Sequence, residues 1–90
     1  MKLKDGYILR EIAGETVLIP TGQNALEFNG IIALNAISAE IWKLLQANAD
    51  REQILHSILD AYDVTEEVAA ADLDEFLDQL RKLNILDAAE

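Results

Sequence analysis

The sequence has no cysteine, and His56 is its only histidine. The absence of cysteine excludes a disulfide framework, a thiolate metal site and a cysteine nucleophile, and one histidine is a weak basis for a zinc site. His56 lies beside the apolar stripe of its predicted helix rather than on it, so we expect it to face solvent. No nucleophile or orienting side chain accompanies it in the sequence. We therefore expect no catalysis, no metal and no cofactor.

Positive charge is scarce, and the deficit is uneven along the chain. Seven basic and seventeen acidic residues give a net charge of −10. Residues 1–34 carry a net charge of −1, and residues 35–90 carry a net charge of −9. Such a surface repels phosphate groups, so nucleic acid and anionic membranes are poor partners. The acidic residues are expected to keep the protein soluble, and they could also steer a basic partner toward it.

Long apolar runs are missing as well. No run approaches the roughly 18 residues that a membrane-spanning helix needs, and the polar residues 1–6 are unlike a signal peptide. We therefore expect a cytoplasmic protein. The chain has 90 residues, of which 51% are hydrophobic, and this fits one small domain with a modest core. No linker or repeat divides residues 1–90, so we expect a single domain.

The first third of the sequence has the composition of β-strands. Residues 7–12 and 16–20 are rich in β-branched and aromatic residues, and Gly14 lies between them as a turn residue that tolerates positive φ. Residues 30–34 form a third predicted strand. Residues 25–28 fit either a further strand or a short helical turn.

From residue 35 the apolar spacing changes to the helical period of 3.6. Three apolar stripes follow, and each begins after a residue that caps helix N-termini well: Asn35, Asp50 and Thr65. Asn84 is expected to end the third helix in the left-handed conformation. The pattern predicts an α+β fold, in which a three-stranded antiparallel sheet is followed by three helices. Short connections favour a meander, which places strand three at an edge unless the strand order is rearranged.

Two features of the helices have a structural explanation. Four carboxylates lie close together in the third helix: Asp72, Asp74, Glu75 and Asp78. Like charges at i and i+4 on a helix do not wrap a cation, so we expect a solvated helix face.

Trp42 lies one residue beside the stripe of the first helix. Since tryptophan usually buries a large area, we expect a core anchor rather than a platform for ligand stacking.

Strand three is apolar on both of its faces. Ile31 and Ala33 face one side of the sheet, and Ile32 and Leu34 face the other. An antiparallel sheet with one wet face should alternate, and an exposed apolar edge is a liability. One explanation is that the third helix or a dimer partner covers the strand. The other is β-augmentation, in which a peptide adds to the edge as a further strand.

Several segments follow one another in an order that is known from a protein family. Residues 34–45 contain Leu-Asn, a small residue, Ile-Trp and a Leu pair. Residues 61–64 (AYDV) precede a helix with Asp-Leu and Phe-Leu pairs within residues 72–77, and residues 80–86 (LRKLNIL) close the pattern. Together these segments resemble the PqqD-like family of precursor-peptide recognition domains, and the resemblance extends over residues 7–86.

The resemblance implies a winged-helix-like peptide chaperone. Such domains bind the leader of a ribosomally made precursor peptide and present it to a modifying enzyme, often a radical SAM protein. In the family the leader adds as a strand beside strand three and lies in a groove against helix three. By position, this implies the following peptide-binding residues: Gly30, Ile31, Ile32, Ala33 and Leu34 in strand three, and Ala70, Leu73, Asp74, Leu77 and Arg81 in helix three.

The residues leave two other functions open. The edge of strand three could instead hold together a homodimer of a structural subunit. A winged-helix architecture also suggests DNA binding, but a net charge of −9 over residues 35–90 is the opposite of the basic footprint that a recognition helix needs.

Overall fold

The computed structural model describes residues 3, 6–22 and 31–86. Within these residues the strands are β1 (Tyr7–Ile12), β2 (Glu15–Pro20) and β3 (Ile32–Leu34), and the helices are α1 (Ala36–Gln46), α2 (Arg51–Ala61) and α3 (Glu66–Lys82). The strands form an antiparallel sheet in the order β1-β2-β3. The predicted α+β fold is therefore confirmed, and β3 lies at an edge of the described sheet. Helix α3 packs against α1 and α2, and α1 lies next to β3.

Strand β3 is shorter than the sequence predicts. It begins at Ile32, so Ile31 precedes it, and Gly30 lies outside the described residues, as do residues 25–28. In the observed register Leu18 pairs with Ile32. A further hydrogen-bonded pair two residues along would need an N–H from Pro20, which has none. At this end of β2, Pro20 therefore has no N–H to donate toward β3.

A two-residue turn joins β1 to β2 and sets the register of the sheet. Ile12 pairs with Glu15 across it, and the turn residues Ala13 and Gly14 both have positive φ, at 51° and 82°. This is the backbone of a type I′ hairpin, whose twist matches that of the flanking strands. Glycine adopts it freely, whereas the Cβ atom of Ala13 makes the left-handed region costly.

Each helix begins at the predicted capping residue. The side chain of Asn35 accepts a hydrogen bond from the Ser38 N–H at 2.8 Å. Asp50 and Gln53 form a reciprocal capping box with both bonds at 2.9 Å, and the hydroxyl of Thr65 caps α3. These side chains satisfy N–H groups that have no partner within the helix. The caps therefore fix where each helix starts.

The core lies between the inner face of the sheet and the three helices. Trp42 is 1% exposed, as predicted for a core anchor. Helix α3 ends at Lys82. Asn84 follows with the expected positive φ of 62°, and Ile85 and Leu86 then fold back into the core. The remaining fully buried large side chains are Leu18, Ile41, Leu45, Ile54, Ile58, Leu73, Leu77 and Leu80.

The hairpin geometry predicts that Ala13→Asn stabilises the protein. Asparagine tolerates the left-handed region and creates the Asn-Gly pair that type I′ turns prefer. We expect the free energy of unfolding to rise by about 0.5–1 kcal/mol, measured by urea denaturation. Ala13→Val should lower it, because a β-branched side chain suits positive φ poorly. A loss of stability in the asparagine variant would contradict this turn geometry.

Candidate functional site

The backbone of β3 presents hydrogen-bonding groups at the open edge of the sheet. The N–H of Thr21 donates to the carbonyl oxygen of Gly6 at 2.7 Å, and this pair continues the β1–β2 register. Antiparallel strands form hydrogen-bonded pairs at every second residue. The odd-numbered residues of β2, such as Val17, therefore direct their backbone groups toward β1. Leu18 and the other even-numbered residues direct theirs toward β3.

The same alternation orients the backbone of β3. Ile32 and Leu34 pair with Leu18 and Thr16, so their N–H and C=O groups point inward to β2. The N–H and C=O of Ala33 point outward, away from the sheet. Within β3, Ala33 is thus the residue whose backbone groups point outward. The sequence alone does not show which of the alternate residues does so. An incoming strand would pair with Ala33 without disturbing the existing ladder.

A groove lies beside this edge, between β3, the start of α1 and one flank of α3. Its central part has a volume of about 210 Å³. This groove is lined by Ala33, Leu34, Asn35, Ile37, Ser38, Asp72, Glu75, Phe76 and Gln79. It continues toward the β1–β2 hairpin past Gly14 and Glu15, and along α3 toward Lys82.

The groove combines an apolar floor with an acidic wall. Leu34 and Ile37 are half-buried and supply most of the small apolar floor, to which Phe76, 4% exposed, adds only its edge. Asp72 and Glu75 are exposed on the α3 wall. Neither carboxylate has an ion-pair partner among residues 3, 6–22 and 31–86. The arrangement can receive an extended chain with apolar side chains, and it favours positive over negative charge.

The outer face of β3 is open next to the same edge. Ile31 is 57% exposed, and Ala33 is exposed as well. Neither α3 nor another described segment buries these two side chains. The two-sided apolar character of the strand therefore does not reflect cover by the third helix.

Comparisons with known proteins identify the family and the fold of this chain. The family model described as coenzyme PQQ synthesis protein D (PqqD) matches residues 15–86. This chain belongs to the PqqD family. A solved structure, TbiB1 in complex with the TbiA(beta) leader peptide, superposes with a TM-score of 0.76 at 27% sequence identity. The match covers 98% of this chain and 96% of TbiB1. No curated protein sequence matches the chain.

Of the strand-three residues that the PqqD resemblance implies, Ala33 and Leu34 line the groove. Ile32 is 8% exposed and belongs to the core. Ile31 is exposed just before the strand, and Gly30 lies outside the described residues. The binding role of these five residues stays a prediction, in which Ala33 has the most favourable backbone orientation.

The five implied residues of α3 lie elsewhere on the helix. Leu73 and Leu77 are 0% and 2% exposed in the core, and none of the five lines the groove: Ala70, Leu73, Asp74, Leu77 and Arg81. Two residues turn about 200° around a helix, so Asp74 and Asp72 face nearly opposite directions. The apolar stripe predicts the buried face of α3 correctly, but it does not indicate which polar flank meets β3. No pattern in a single sequence distinguishes the flank that faces β3 from the flank that faces α2.

Asp74 instead joins α3 to α2. Its two carboxylate oxygens accept hydrogen bonds from Nε and Nη2 of Arg51, both at 2.9 Å. The hydrogen bond from Arg51 lowers the pKa of Asp74, and the same bond raises the pKa of Arg51. Because the lowered pKa belongs to the folded state, this pair stabilises the fold above the ordinary aspartate range and loses its effect as the pH falls through the lowered value. Both groups are well exposed, so the contribution is small.

Other kinds of site would depend on metal ligands, on the histidine or on a membrane-spanning helix. Among residues 3, 6–22 and 31–86 no three acidic or histidine side chains are grouped as metal ligands. His56 is 72% exposed and lies 3.8 Å from Glu52. No helix in the described part of the chain is long and apolar enough to cross a membrane.

The burial of Leu73 predicts a structural role for this residue. Leu73→Ala should lower the free energy of unfolding by about 2–5 kcal/mol, because it leaves a cavity in the core. Val68→Ala is the control: Val68 is on the same helix and 49% exposed, and we expect a change within about 0.5 kcal/mol. Urea denaturation measures both. A near-neutral Leu73→Ala variant would contradict the observed phase of α3.

Proposed function

We propose that this PqqD-family protein binds the leader segment of a ribosomally made precursor peptide and has no catalytic activity of its own. The observation that carries the proposal is the open edge of β3, where the backbone of Ala33 points outward beside a groove with a small apolar floor and polar walls. A peptide strand that pairs with Ala33 gains main-chain hydrogen bonds and places alternate side chains in the groove. Affinity and selectivity therefore come from different parts of one site.

The likeness to TbiB1 supports this proposal. That protein is seen with a leader peptide, and its fold covers nearly the whole of this chain. We propose that a modifying enzyme, such as a radical SAM protein, acts on the peptide while the leader is held here. The acidic wall of the groove makes a nucleic acid backbone a poor occupant, because like charges repel.

A homodimer that pairs two β3 edges is the second candidate, and the exposure of Ile31 and Ala33 favours it. Two such edges would satisfy the same outward N–H and C=O groups. The two functions compete for one edge, so peptide binding should dissociate any dimer of this type. Light scattering with and without peptide distinguishes them.

Proline substitutions along β3 test strand addition. Ala33→Pro removes an N–H that points outward, so we expect a folded protein that has lost peptide binding. Ile32→Pro and Leu34→Pro remove inward N–H groups, so each should destabilise the fold by at least about 2 kcal/mol. Circular dichroism during urea denaturation measures stability. Calorimetry measures binding to synthetic leaders of precursor peptides encoded in the same genome, with the TbiA(beta) leader as a reference.

Matched variants separate the effect of losing the N–H from the effect of changing the side chain. Ala33→Val keeps the N–H and adds a side chain suited to strands, so it should still bind. Ile32→Ala keeps the N–H and reports the loss of the buried side chain alone. Wild-type affinity in a folded Ala33→Pro variant would show that β3 is not the docking edge.

A further inference from the structure

The two carboxylates on the groove wall are placed where they can interact with charged side chains of a bound peptide. Asp72 and Glu75 both line the central part of the groove, and both are exposed and without an ion-pair partner among the described residues. The neighbouring carboxylates of α3 differ in this respect. Asp74 binds Arg51, and Asp78 lies 3.3 Å from Arg81. Of these four carboxylates, the two without an ion-pair partner are therefore the ones that line the central part of the groove.

The spacing of the wall fits an extended peptide. Side chains on one face of a strand are about 7 Å apart, and Asp72 lies one helical turn, about 6 Å, from Phe76. If the peptide runs along α3, an apolar side chain over Phe76 places the side chain two residues away against Asp72. Lysine and arginine suit that position, because their aliphatic stems cover apolar surface while the charged end reaches a carboxylate.

We propose that Asp72 and Glu75 are specificity-determining residues, which select peptides carrying a lysine or arginine two residues from an apolar side chain. The inference rests on the proposed function and adds the charge of the substrate to it. The apolar floor and the outward backbone of Ala33 bind any extended apolar segment. The acidic wall distinguishes among such segments by their charge.

Selection from a random peptide display library tests this inference without knowledge of the natural ligand. The Asp72→Asn/Glu75→Gln variant removes both charges with little change in shape. The matched control is Glu52→Gln/Asp60→Asn on α2, a helix that contributes no residue to the groove. It makes the same pair of chemical changes and the same change in net charge. Enrichment due to the acidic surface as a whole would fall equally in both variants.

We expect peptides selected on the wild type and on the α2 control to be enriched in lysine or arginine at i±2 from an apolar residue. Peptides selected on the groove variant should keep the apolar pattern and lose that enrichment. Equal enrichment on all three proteins would overturn the inference while leaving the proposed function intact. Failure of the wild type to select any related peptides would count against the proposed function itself, and the inference would fall with it.

Calorimetry with one selected peptide gives the size of the effect. Replacing its lysine by glutamine, or using the groove variant, should each weaken binding by about 2- to 10-fold, the range expected for one or two exposed ion pairs. Combining the two changes should cause little further loss, because both remove the same interaction. Additive losses would show that the lysine does not contact Asp72 or Glu75.

Discussion

The pairing of Leu18 with Ile32 is the constraint on which the site depends. Both side chains are buried, at 0% and 8% exposure, so the hydrophobic core fixes the register of β3 against β2. A shift by one residue would move Ile32 to the outer face and Ala33 to the core. It would also turn the outward N–H of Ala33 inward. Core packing therefore decides which backbone groups of β3 are available to a partner.

The rotational orientation of α3 about its own axis determines which of its side chains form the second wall of the site. Its apolar stripe is buried against the core through residues such as Leu73 and Leu80, and its two polar flanks meet different neighbours. One flank carries Asp74, which pairs with Arg51 of α2. The other carries Asp72 and Glu75 and faces β3 across the groove. The same helix thus stabilises the fold on one side and shapes the candidate binding surface on the other.

The sequence predicts those features that depend on neighbouring residues. Capping is local, so the capping box of Asp50 and the left-handed Asn84 follow from short segments. The order of the strands follows from the tendency of strands that are consecutive in the sequence to pair with each other. The groove depends on which flank of α3 meets β3, and the outward orientation of the Ala33 backbone depends on the hairpin register. Both are long-range properties. The resemblance to PqqD proteins implies the β3 edge, whose binding role stays a prediction, and Asp74, one of the implied contacts, lies on the flank toward α2.

Amide hydrogen exchange measured by NMR on the free and peptide-bound protein tests the central claim most directly. In the free protein the amides of Ile32 and Leu34 should exchange slowly, because they bond to β2, and the amide of Ala33 should exchange fast. On addition of a bound leader peptide, the Ala33 amide should become protected while the other two change little. A protected Ala33 amide in the free monomer, or one that stays unprotected when peptide is bound, would contradict strand addition at this edge.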